Sequence, residues 1–387
     1  MNRSTHSSLF SCVTGFLLVL GSSGLAQESH EGTLDSVLGE PIVEMQSVFD
    51  SERFPNVVVS LKGTVIAVLG RKTIRLRRSE GGGITWGETI TVAEEGIHGG
   101  GMTVDEGTGD ILIFVEEKHP PAPLTVYRSR DDGKTWAVDA VTIHPDSEGR
   151  GVSMHMNERG ITLRHGEHRG RLLRASRYYG ISNYPVSQFP THFTNAIYSD
   201  DGGKTWQTSE PFPYMGTGEA AVAELSDGRI YYNTRRHWAP EGENPLRRWI
   251  AWSDDGGETW EDGGICEVLP DGPQDTDYGC MGGLVRLPIQ DRDILLYSNC
   301  DSPEGRSRGT IWGSFDGGTT WPIGRLIHEG SFAYSSLTAG RPGTVSEGWV
   351  FLHFESDKGS HVARFNLSWL LEGELTNDGV VPVELAR

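Results

Sequence analysis

Ser253-Asp254-Asp255-Gly256-Gly257-Glu258-Thr259-Trp260 is the stretch that decides the fold, because nearly the same eight residues recur along the chain as S-x-D-x-G-x-T-W. Further copies begin at Ser79, Ser129, Ser199 and Ser314. In the first of them Gly81 replaces the aspartate. Repetition at intervals of this size predicts a chain built from copies of one supersecondary unit.

The octamer has the composition of a turn between two antiparallel strands. Serine and aspartate side chains bond to the nearby backbone, glycine supplies positive φ, and threonine and tryptophan resume an extended strand. The flanking runs Arg248–Ser253 and Asn195–Ser199 are short and rich in β-forming residues. Units of about 40–50 residues with four strands each are typical of β-propeller blades, and we expect each tryptophan to pack beneath the next unit.

The sequence therefore predicts an all-β protein, a six-bladed β-propeller with Asp-containing turns. Five blades carry the octamers, and the chain after Trp321 supplies the strands of the sixth. We expect residues 42–50 to pair with that last blade and close the ring, which removes exposed sheet edges. One short helix is predicted near Leu367–Leu371, beginning at Asn366 or Ser368.

Composition excludes several classes of function. The chain has 387 residues, 36% of them hydrophobic, with Gly 51 and Trp 11, which suits a turn-rich all-β fold better than a helical one. A net charge of -19 argues against nucleic acid as a partner, because phosphates would be repelled. No interior apolar run is long enough to predict a membrane span.

The N-terminal residues predict export. Arg3 and His6 precede an apolar run, and Gly24–Ala26 resembles a cleavage site. Residues 1–26 are therefore interpreted as a secretory signal, 27–41 as a polar segment and 42–387 as a single propeller, and the expected location is secreted or periplasmic.

Loss of Cys12 with the signal would leave three cysteines. Either Cys280 pairs with Cys266 or Cys300, or all three are reduced. No paired ligand motif predicts a metal.

The octamer resembles the Asp-box of the sialidase (neuraminidase) superfamily, whose members are six-bladed propellers with BNR repeats. In that family the boxes stabilise outer turns and carry no chemistry, so the function has to come from other residues. Sialidases hold the carboxylate of the substrate with three arginines, whose planar forks match a carboxylate. Three arginines here resemble that set: Arg53 in Arg53-Phe54-Pro55, Arg235 at the end of Leu225–Arg235, and Arg306 before the last box, with Arg236 and Arg308 as alternatives for the second and third.

The segment Glu329–Leu337 is similar to the family's nucleophile region and implies Tyr334 as the nucleophile. A neutral phenol avoids the repulsion that an anionic carboxylate would meet at a carboxylated anomeric carbon, provided that a base takes its proton. Glu219 matches the family's partner glutamate and is the implied base. Glu355 matches the glutamate that orients the first arginine.

The resemblance fails at one position. Family members carry an acid/base aspartate on a loop between the first arginine and the first box, whereas Gly70–Ser79 runs directly into the box without an aspartate. His98, flanked by glycines, is the candidate substitute. Other candidates are Glu116, His119, Asp275 and Asp277.

The resemblance implies an exo-acting glycoside hydrolase that releases a terminal carboxylated sugar, sialic acid or a related ulosonic acid, with retention of configuration. It implies no cofactor, and the partner is the terminal acidic sugar of a glycan. Two alternatives stay open: a non-catalytic propeller that binds an acidic glycan or a protein, and a hydrolase or lyase of another anionic polysaccharide that uses a histidine from the 98–192 region as its acid. The sequence decides neither the sugar nor the oligomeric state.

Overall fold

A computed structural model describes residues 1, 30–50, 53–180, 191–272 and 279–386. The predicted signal after Met1, Cys12, Asp275 and Asp277 lie outside these residues. In the described part, the helical segments Leu34–Val37 and Leu367–Leu370 are one turn each, and none is long and apolar enough to cross a bilayer.

The remaining regular structure is β. In chain order the strands are β1 (Val43–Phe49), β2 (Asn56–Val59), β3 (Val65–Leu69), β4 (Ile74–Ser79), β5 (Ile90–Ala93), β6 (Ile97–Val104), β7 (Ile111–Glu116), β8 (Leu124–Ser129), β9 (Ala137–Asp139), β10 (Thr142–Ile143), β11 (Ile161–Thr162), β12 (Leu172–Tyr178), β13 (Phe193–Ser199), β14 (Thr205–Thr208), β15 (Thr217–Glu224), β16 (Ile230–Arg236), β17 (Arg247–Ser253), β18 (Glu261–Pro270), β19 (Gly283–Arg286), β20 (Leu295–Cys300), β21 (Ser307–Ser314), β22 (Ile323–Ser331), β23 (Ser335–Ala339), β24 (Val350–Ser356), β25 (Gly359–Phe365) and β26 (Glu374–Leu375).

These strands form six sheets, which are the blades of a propeller. The sheet orders are β2-β3-β4-β5 for blade 1, β6-β7-β8-β9 for blade 2, β11-β12-β13-β14-β10 for blade 3, β15-β16-β17-β18 for blade 4, β19-β20-β21-β22-β26 for blade 5 and β23-β24-β25-β1 for blade 6. The six-bladed all-β prediction is confirmed.

Each octamer joins two antiparallel strands, as predicted, and these are the third and fourth strands of its blade. In the turn of blade 4, Ser253 Oγ accepts the backbone N–H of Gly257 at 2.9 Å and donates to Asp255 Oδ1 at 2.7 Å. Asp255 Oδ1 accepts the N–H of Thr259 at 3.0 Å, and Oδ2 accepts its hydroxyl at 2.6 Å. These bonds stabilise the outer turn and are far from the ring axis.

The second glycine of the octamer is required by both conformation and space. Gly257 has a φ of +90°, and a Cβ on it would lie 2.5 Å from Leu173 Cδ1 in the preceding blade. The box tryptophans face the same way: Trp206 of blade 3 packs edge-on against Phe114 of blade 2, with ring centroids 5.5 Å apart. The expectation that each tryptophan packs beneath the next unit was wrong in direction, because the turn lies on the face of its blade that contacts the preceding blade.

The ring is closed by the two ends of the propeller. Strand β1 pairs antiparallel with β25, so blade 6 contains one N-terminal and three C-terminal strands, as predicted for residues 42–50. The short helix after β25 is also confirmed, and Asn366 Oδ1 caps it by accepting the N–H of Trp369 at 3.0 Å.

The innermost strands β2, β6, β11, β15, β19 and β23 contact one another around a central channel. We call the end where these strands begin the upper mouth, and the end where they finish the lower mouth. The upper mouth comprises Phe54, His98, His155, Glu219, Met281 and Tyr334. The lower mouth comprises Val59, Glu106, Arg164, Glu224, Arg286 and Arg341, which line a cavity of about 700 Å³ including its open space.

Candidate active site

The upper mouth brings together Tyr334 and Glu219, which are 115 residues apart in the chain. Tyr334 lies directly before β23 and Glu219 is the third residue of β15. The phenol Oη donates a hydrogen bond of 2.8 Å to Glu219 Oε1, and both side chains are buried. A phenol paired with a carboxylate in this way can lose its proton as it attacks an electrophile.

Three arginines surround this pair. The Arg53 and Arg306 guanidinium carbons lie 5.1 and 5.0 Å from the centroid of the Tyr334 ring. Arg235 Nη1 lies 3.2 Å from Glu219 Oε2, the carboxylate oxygen that does not bind the tyrosine. Three guanidinium groups therefore lie around the phenol and its partner, an arrangement that can hold a carboxylate.

Glu355 fixes the first of these arginines. Its Oε2 lies 3.4 Å from Arg53 Nε, and its Oε1 accepts the backbone N–H of Phe54 at 2.6 Å. Phe54 has a φ of +74°, a left-handed conformation that is uncommon for an aromatic residue. The Glu355 carboxylate holds both the arginine and this strained peptide at the start of the first inner strand.

The structure separates each preferred arginine from its alternative. Arg236 points away from Glu219, stacking over the Trp249 ring at 4.2 Å. Arg308 is exposed and pairs with Glu329 at 2.8 Å. Strand alternation accounts for the first separation, since adjacent residues of β16 face opposite sides.

A supporting layer beneath the pair was not foreseen from the sequence. Arg248 is completely buried and donates to the backbone oxygens of Glu219 at 3.0 Å and Cys280 at 3.2 Å. Asp271 Oδ1 lies 3.7 Å from Arg235 Nε and 3.8 Å from Arg248 Nη1. A charged residue inside a β-strand was the available signal for Arg248, but every blade contains such residues and the pattern alone does not single it out.

The electrostatics set different protonation states for the central pair. Burial, together with the Glu219 charge, raises the pKa of Tyr334 well above its ordinary value, so the resting phenol is neutral. Burial alone would also raise the pKa of Glu219, but Arg235 and His237 hold that pKa well below its usual range. The pair therefore rests as a neutral phenol donating to a carboxylate, which is the state needed for a nucleophile with a waiting base.

His98 begins an inner strand at the upper mouth but is enclosed there. It is 2% exposed, its Nδ1 lies 3.2 Å from the Phe54 carbonyl oxygen, and its Nε2 is buried without a partner. Burial lowers the pKa of His98 to about 4, so the ring carries no imidazolium proton near neutral pH. The arrangement argues against the predicted acid role, which we do not assign to His98.

The other candidates lie on the side of the mouth formed by blades 2 and 3. Glu116, the last residue of β7, is buried, and its Oε2 is 3.3 Å from His155 Nδ1. His119 is half-buried, and its ring centroid is 4.3 Å from that of His155. Burial, aided by the neighbouring His155, lowers the pKa of His119 to about 4.

The cysteines of the described residues carry thiols instead of a disulfide. Cys280 and Cys300 are hydrogen-bond neighbours, and burial raises the pKa of Cys280 well above its ordinary value. The alternative in which all three are reduced is the one found here.

Comparison with known proteins places this geometry in context. Residues 70–346 match the family model described as a BNR repeat-like domain, which covers most of the propeller. A sialidase of Micromonospora viridifaciens is 31% identical over 380 residues, spanning 86% of this chain and 55% of that protein. A sialidase of Bacteroides fragilis is 27% identical, spanning 74% of this chain and 57% of that protein. The chain thus spans about half the length of these relatives.

Solved structures agree on the fold. The Hadza microbial sialidase Hz136 superposes with a TM-score of 0.59 at 24% identity, covering 82% of this chain and 66% of that one. The intramolecular trans-sialidase of Ruminococcus gnavus superposes with a TM-score of 0.63 at 16% identity, covering 84% and 96%.

Proposed function

Because the chain belongs to the family of BNR repeat-like domains in the sialidase superfamily, we propose that it is an exo-acting glycoside hydrolase that releases a terminal sialic acid or related ulosonic acid. The observation that carries the proposal is the 2.8 Å hydrogen bond from Tyr334 to Glu219, with Arg53 and Arg306 over the phenol ring. The residues that resemble the family's catalytic set come from four different blades, and they meet at one mouth.

In the proposed reaction the three arginines hold the carboxylate of the sugar, which places the anomeric carbon next to Tyr334. The phenol oxygen attacks that carbon while its proton passes to Glu219. The resulting glycosyl-tyrosine is opened by water in a second displacement, so the configuration is retained. The leader-like residues 1–26 support the further proposal that the enzyme acts outside the cytoplasm.

The test is hydrolysis of a methylumbelliferyl sialoside by wild type and by Tyr334→Phe. Removing one hydroxyl should lower kcat/KM on the order of 10³-fold or more, because the covalent route is lost. Circular dichroism should show that the variant is folded, and NMR of the first-released sugar should show the retained anomer. Equal rates for the two proteins would refute the tyrosine mechanism.

A glycan array distinguishes the non-catalytic alternative. An enzyme turns over sialosides on the array, whereas a binding propeller retains them intact. If wild type binds acidic glycans and releases no sugar from any of them, the hydrolase proposal fails.

A further inference from the structure

We propose that His155 is the acid that protonates the leaving oxygen and that Glu116 positions it, in place of the aspartate that the chain lacks. This inference rests on the proposed function and adds to it the proton donor that cleavage of a natural linkage requires. Four features of the upper mouth support it: the place of His155, its contact with Glu116, the freedom of its second nitrogen, and the space that glycine leaves for Glu116.

His155 and the nucleophile are neighbours of the same aromatic ring. The centroid of the Phe54 ring is 5.9 Å from that of the Tyr334 ring and 5.8 Å from that of the His155 ring. The left-handed backbone of Phe54, held by Glu355, places its ring in this position. A leaving group that extends from a sugar at Tyr334 past Phe54 would therefore come to His155.

Glu116 and His155 form a carboxylate–imidazole pair. His155 Nδ1 and Glu116 Oε2 are 3.3 Å apart, and neither atom has a hydrogen-bond partner among the described residues. The other oxygen, Oε1, accepts the Ser153 hydroxyl and the Met154 N–H, the latter at 3.1 Å. A proton shared between Nδ1 and Oε2 would satisfy both atoms and fix the orientation of the imidazole, which leaves Nε2 for chemistry.

The second nitrogen distinguishes His155 from His98. Nε2 of His98 is fully buried and has no partner. Nε2 of His155 likewise has no hydrogen-bond partner among the described residues, but it is not among the enclosed atoms. Of these two histidines of the upper mouth, His155 is therefore the one whose second ring nitrogen is not enclosed.

The glycines after His98 make room for the positioning carboxylate. A Cβ at Gly99 would lie 3.0 Å from Glu116 Oε2, and a Cβ at Gly100 would lie 2.8 Å from Arg174 Nη2. This glycine-rich stretch, predicted to present His98 as the acid, is instead where a buried carboxylate and a buried guanidinium are accommodated.

The charged and titratable groups around the pair come from three elements. Arg174 on β12 acts on the Glu116 charge, His119 in the loop after β7 packs with a tilted ring against His155, and Tyr179 lies edge-on to His155 with centroids 6.0 Å apart. Arg177 lies over the Tyr179 ring at 4.3 Å. Glu116 is thus the one carboxylate facing His155 within ion-pair distance among the described residues.

Bonds and protons balance in both halves of the proposed reaction. In the first half, the bond from Tyr334 oxygen to the anomeric carbon forms, the glycosidic C–O bond breaks, and the leaving oxygen takes the proton from Nε2 of the His155 imidazolium. In the second half, neutral His155 takes a proton from water, the water oxygen bonds to the anomeric carbon, and the Tyr334 oxygen leaves and recovers its proton from Glu219. No other reactant is needed.

The experiment compares two leaving groups on the full-length protein. Wild type, His155→Gln and Glu116→Gln are assayed on a methylumbelliferyl sialoside, which leaves well without a proton, and on a sialoside with galactose as leaving group. We expect His155→Gln to lower kcat/KM on the galactoside on the order of 10²–10³-fold and on the activated substrate roughly fivefold or less. Glu116→Gln removes only the group that orients His155. It should lower kcat/KM on the galactoside about tenfold and affect the activated substrate less.

His98→Gln is the matched control, since it removes a histidine from the same mouth and should not discriminate between the two leaving groups. Equal loss on both substrates in His155→Gln, with the fold intact, would overturn the acid assignment while leaving the tyrosine mechanism in place. If His155→Gln does not fold, the selectivity of Glu116→Gln decides in its place. Failure of the proposed function is recognised separately: wild type would cleave neither substrate, or Tyr334→Phe would cleave both as well as wild type.

Discussion

At the lower mouth of the channel, Glu106 accepts hydrogen bonds from both Arg164 and Arg341. At the upper mouth, Arg306 lies over the Tyr334 ring and forms no ion pair with any described residue. Both ends of the channel thus carry arginines and glutamates, but among the described residues Arg306 at the upper mouth lacks the carboxylate partner that Arg164 and Arg341 have at the lower mouth. A closed ion pair contributes to the fold, whereas an unpaired guanidinium at an open mouth is available to a ligand.

The two mouths show how a structural cluster of charges differs from a reactive one. The lower cavity is lined by several arginines, but those nearest its carboxylates are already paired. The upper mouth holds a nucleophile, a base and an unpaired cation within a few ångströms. Chemistry therefore follows the arrangement of charge and hydrogen bonds.

The largest expected effect distinguishes Glu219 at the upper mouth from Glu106 at the lower mouth. Glu219→Gln should lower kcat/KM on the order of 10³-fold, because the base that receives the Tyr334 proton is lost. Glu106→Gln should instead lower the free energy of unfolding by about 3 kcal/mol, since two buried guanidiniums lose their partner. Kinetics and urea unfolding on both variants check this. A folded Glu106→Gln protein as inactive as Glu219→Gln would abolish the distinction between the mouths.

Matched arginine changes sharpen the same contrast. Arg306→Met should raise KM for a sialoside about 30–100-fold, because a charge-assisted contact to the substrate carboxylate is lost, and should leave the melting temperature nearly unchanged. Arg341→Met should lower the free energy of unfolding by about 2 kcal/mol and leave KM within about twofold of wild type. If Arg306→Met destabilises the protein as much as Arg341→Met does, the unpaired arginine has a structural role.

Glu158 lies on the channel wall between the two mouths and should make stability depend on pH. Burial raises its pKa to about 8, although the Ser336 hydroxyl, Arg159 and the Leu337 N–H oppose the shift. Since the folded state holds this proton more tightly than the unfolded chain, the stabilisation is complete at pH values below the unfolded pKa and is lost as pH rises through about 8.

The free energy of unfolding should therefore fall by about 2 kcal/mol between pH 5 and pH 8, which is less than the full shift implies because water entry and relaxation ease a buried charge. Glu158→Gln should flatten that slope, and urea unfolding at several pH values measures it. An unchanged slope in the variant would show that another group causes it.

The smallest effect is expected on the outer rim, away from both mouths. Asp255→Ala removes the carboxylate that holds the Thr259 backbone and hydroxyl and should cost about 1 kcal/mol of stability. The reverse change, Gly81→Asp, should restore the missing box contact and add up to about 1 kcal/mol, because a Cβ there has room, 3.5 Å from the Thr85 hydroxyl. Neither should change kcat/KM; a change in activity would show that the rim is coupled to the mouth.

The blade architecture was predictable because the octamer is local. Its serine, aspartate and glycines form hydrogen bonds with one another within eight residues. Each copy therefore predicts its own turn, whatever the rest of the chain does. The choice of Arg235 over Arg236 was predictable for a related reason, since strand alternation is also local. Tyr334 and Glu219 were found through resemblance to a family, and the structure brings them within hydrogen-bond distance.

The identity of the acid was not predictable because it depends on packing between blades. His98 lies at the start of the inner strand β6 and His155 in the segment before the inner strand β11, and both stand among small or flexible residues. The ladder between β6 and β7 shifts register at His98–Gly100, which turns His98 inward beneath Phe54. His155 faces Glu116 of the neighbouring blade, a contact between residues 39 positions apart that no short motif records.

Closure of blade 6 by β1 has a consequence for the order of events during folding. Arg53 stands near the beginning of the propeller, and its partner Glu355 follows 302 residues later. A nascent chain cannot complete the upper mouth until the last blade has been synthesised and the first strand has docked onto it. Since contacts of such long sequence separation form late and slowly, the site should be among the last parts of the molecule to assemble. In a refolding experiment, recovery of turnover would then time the closing of the ring, and it should lag behind the recovery of β-structure measured by circular dichroism.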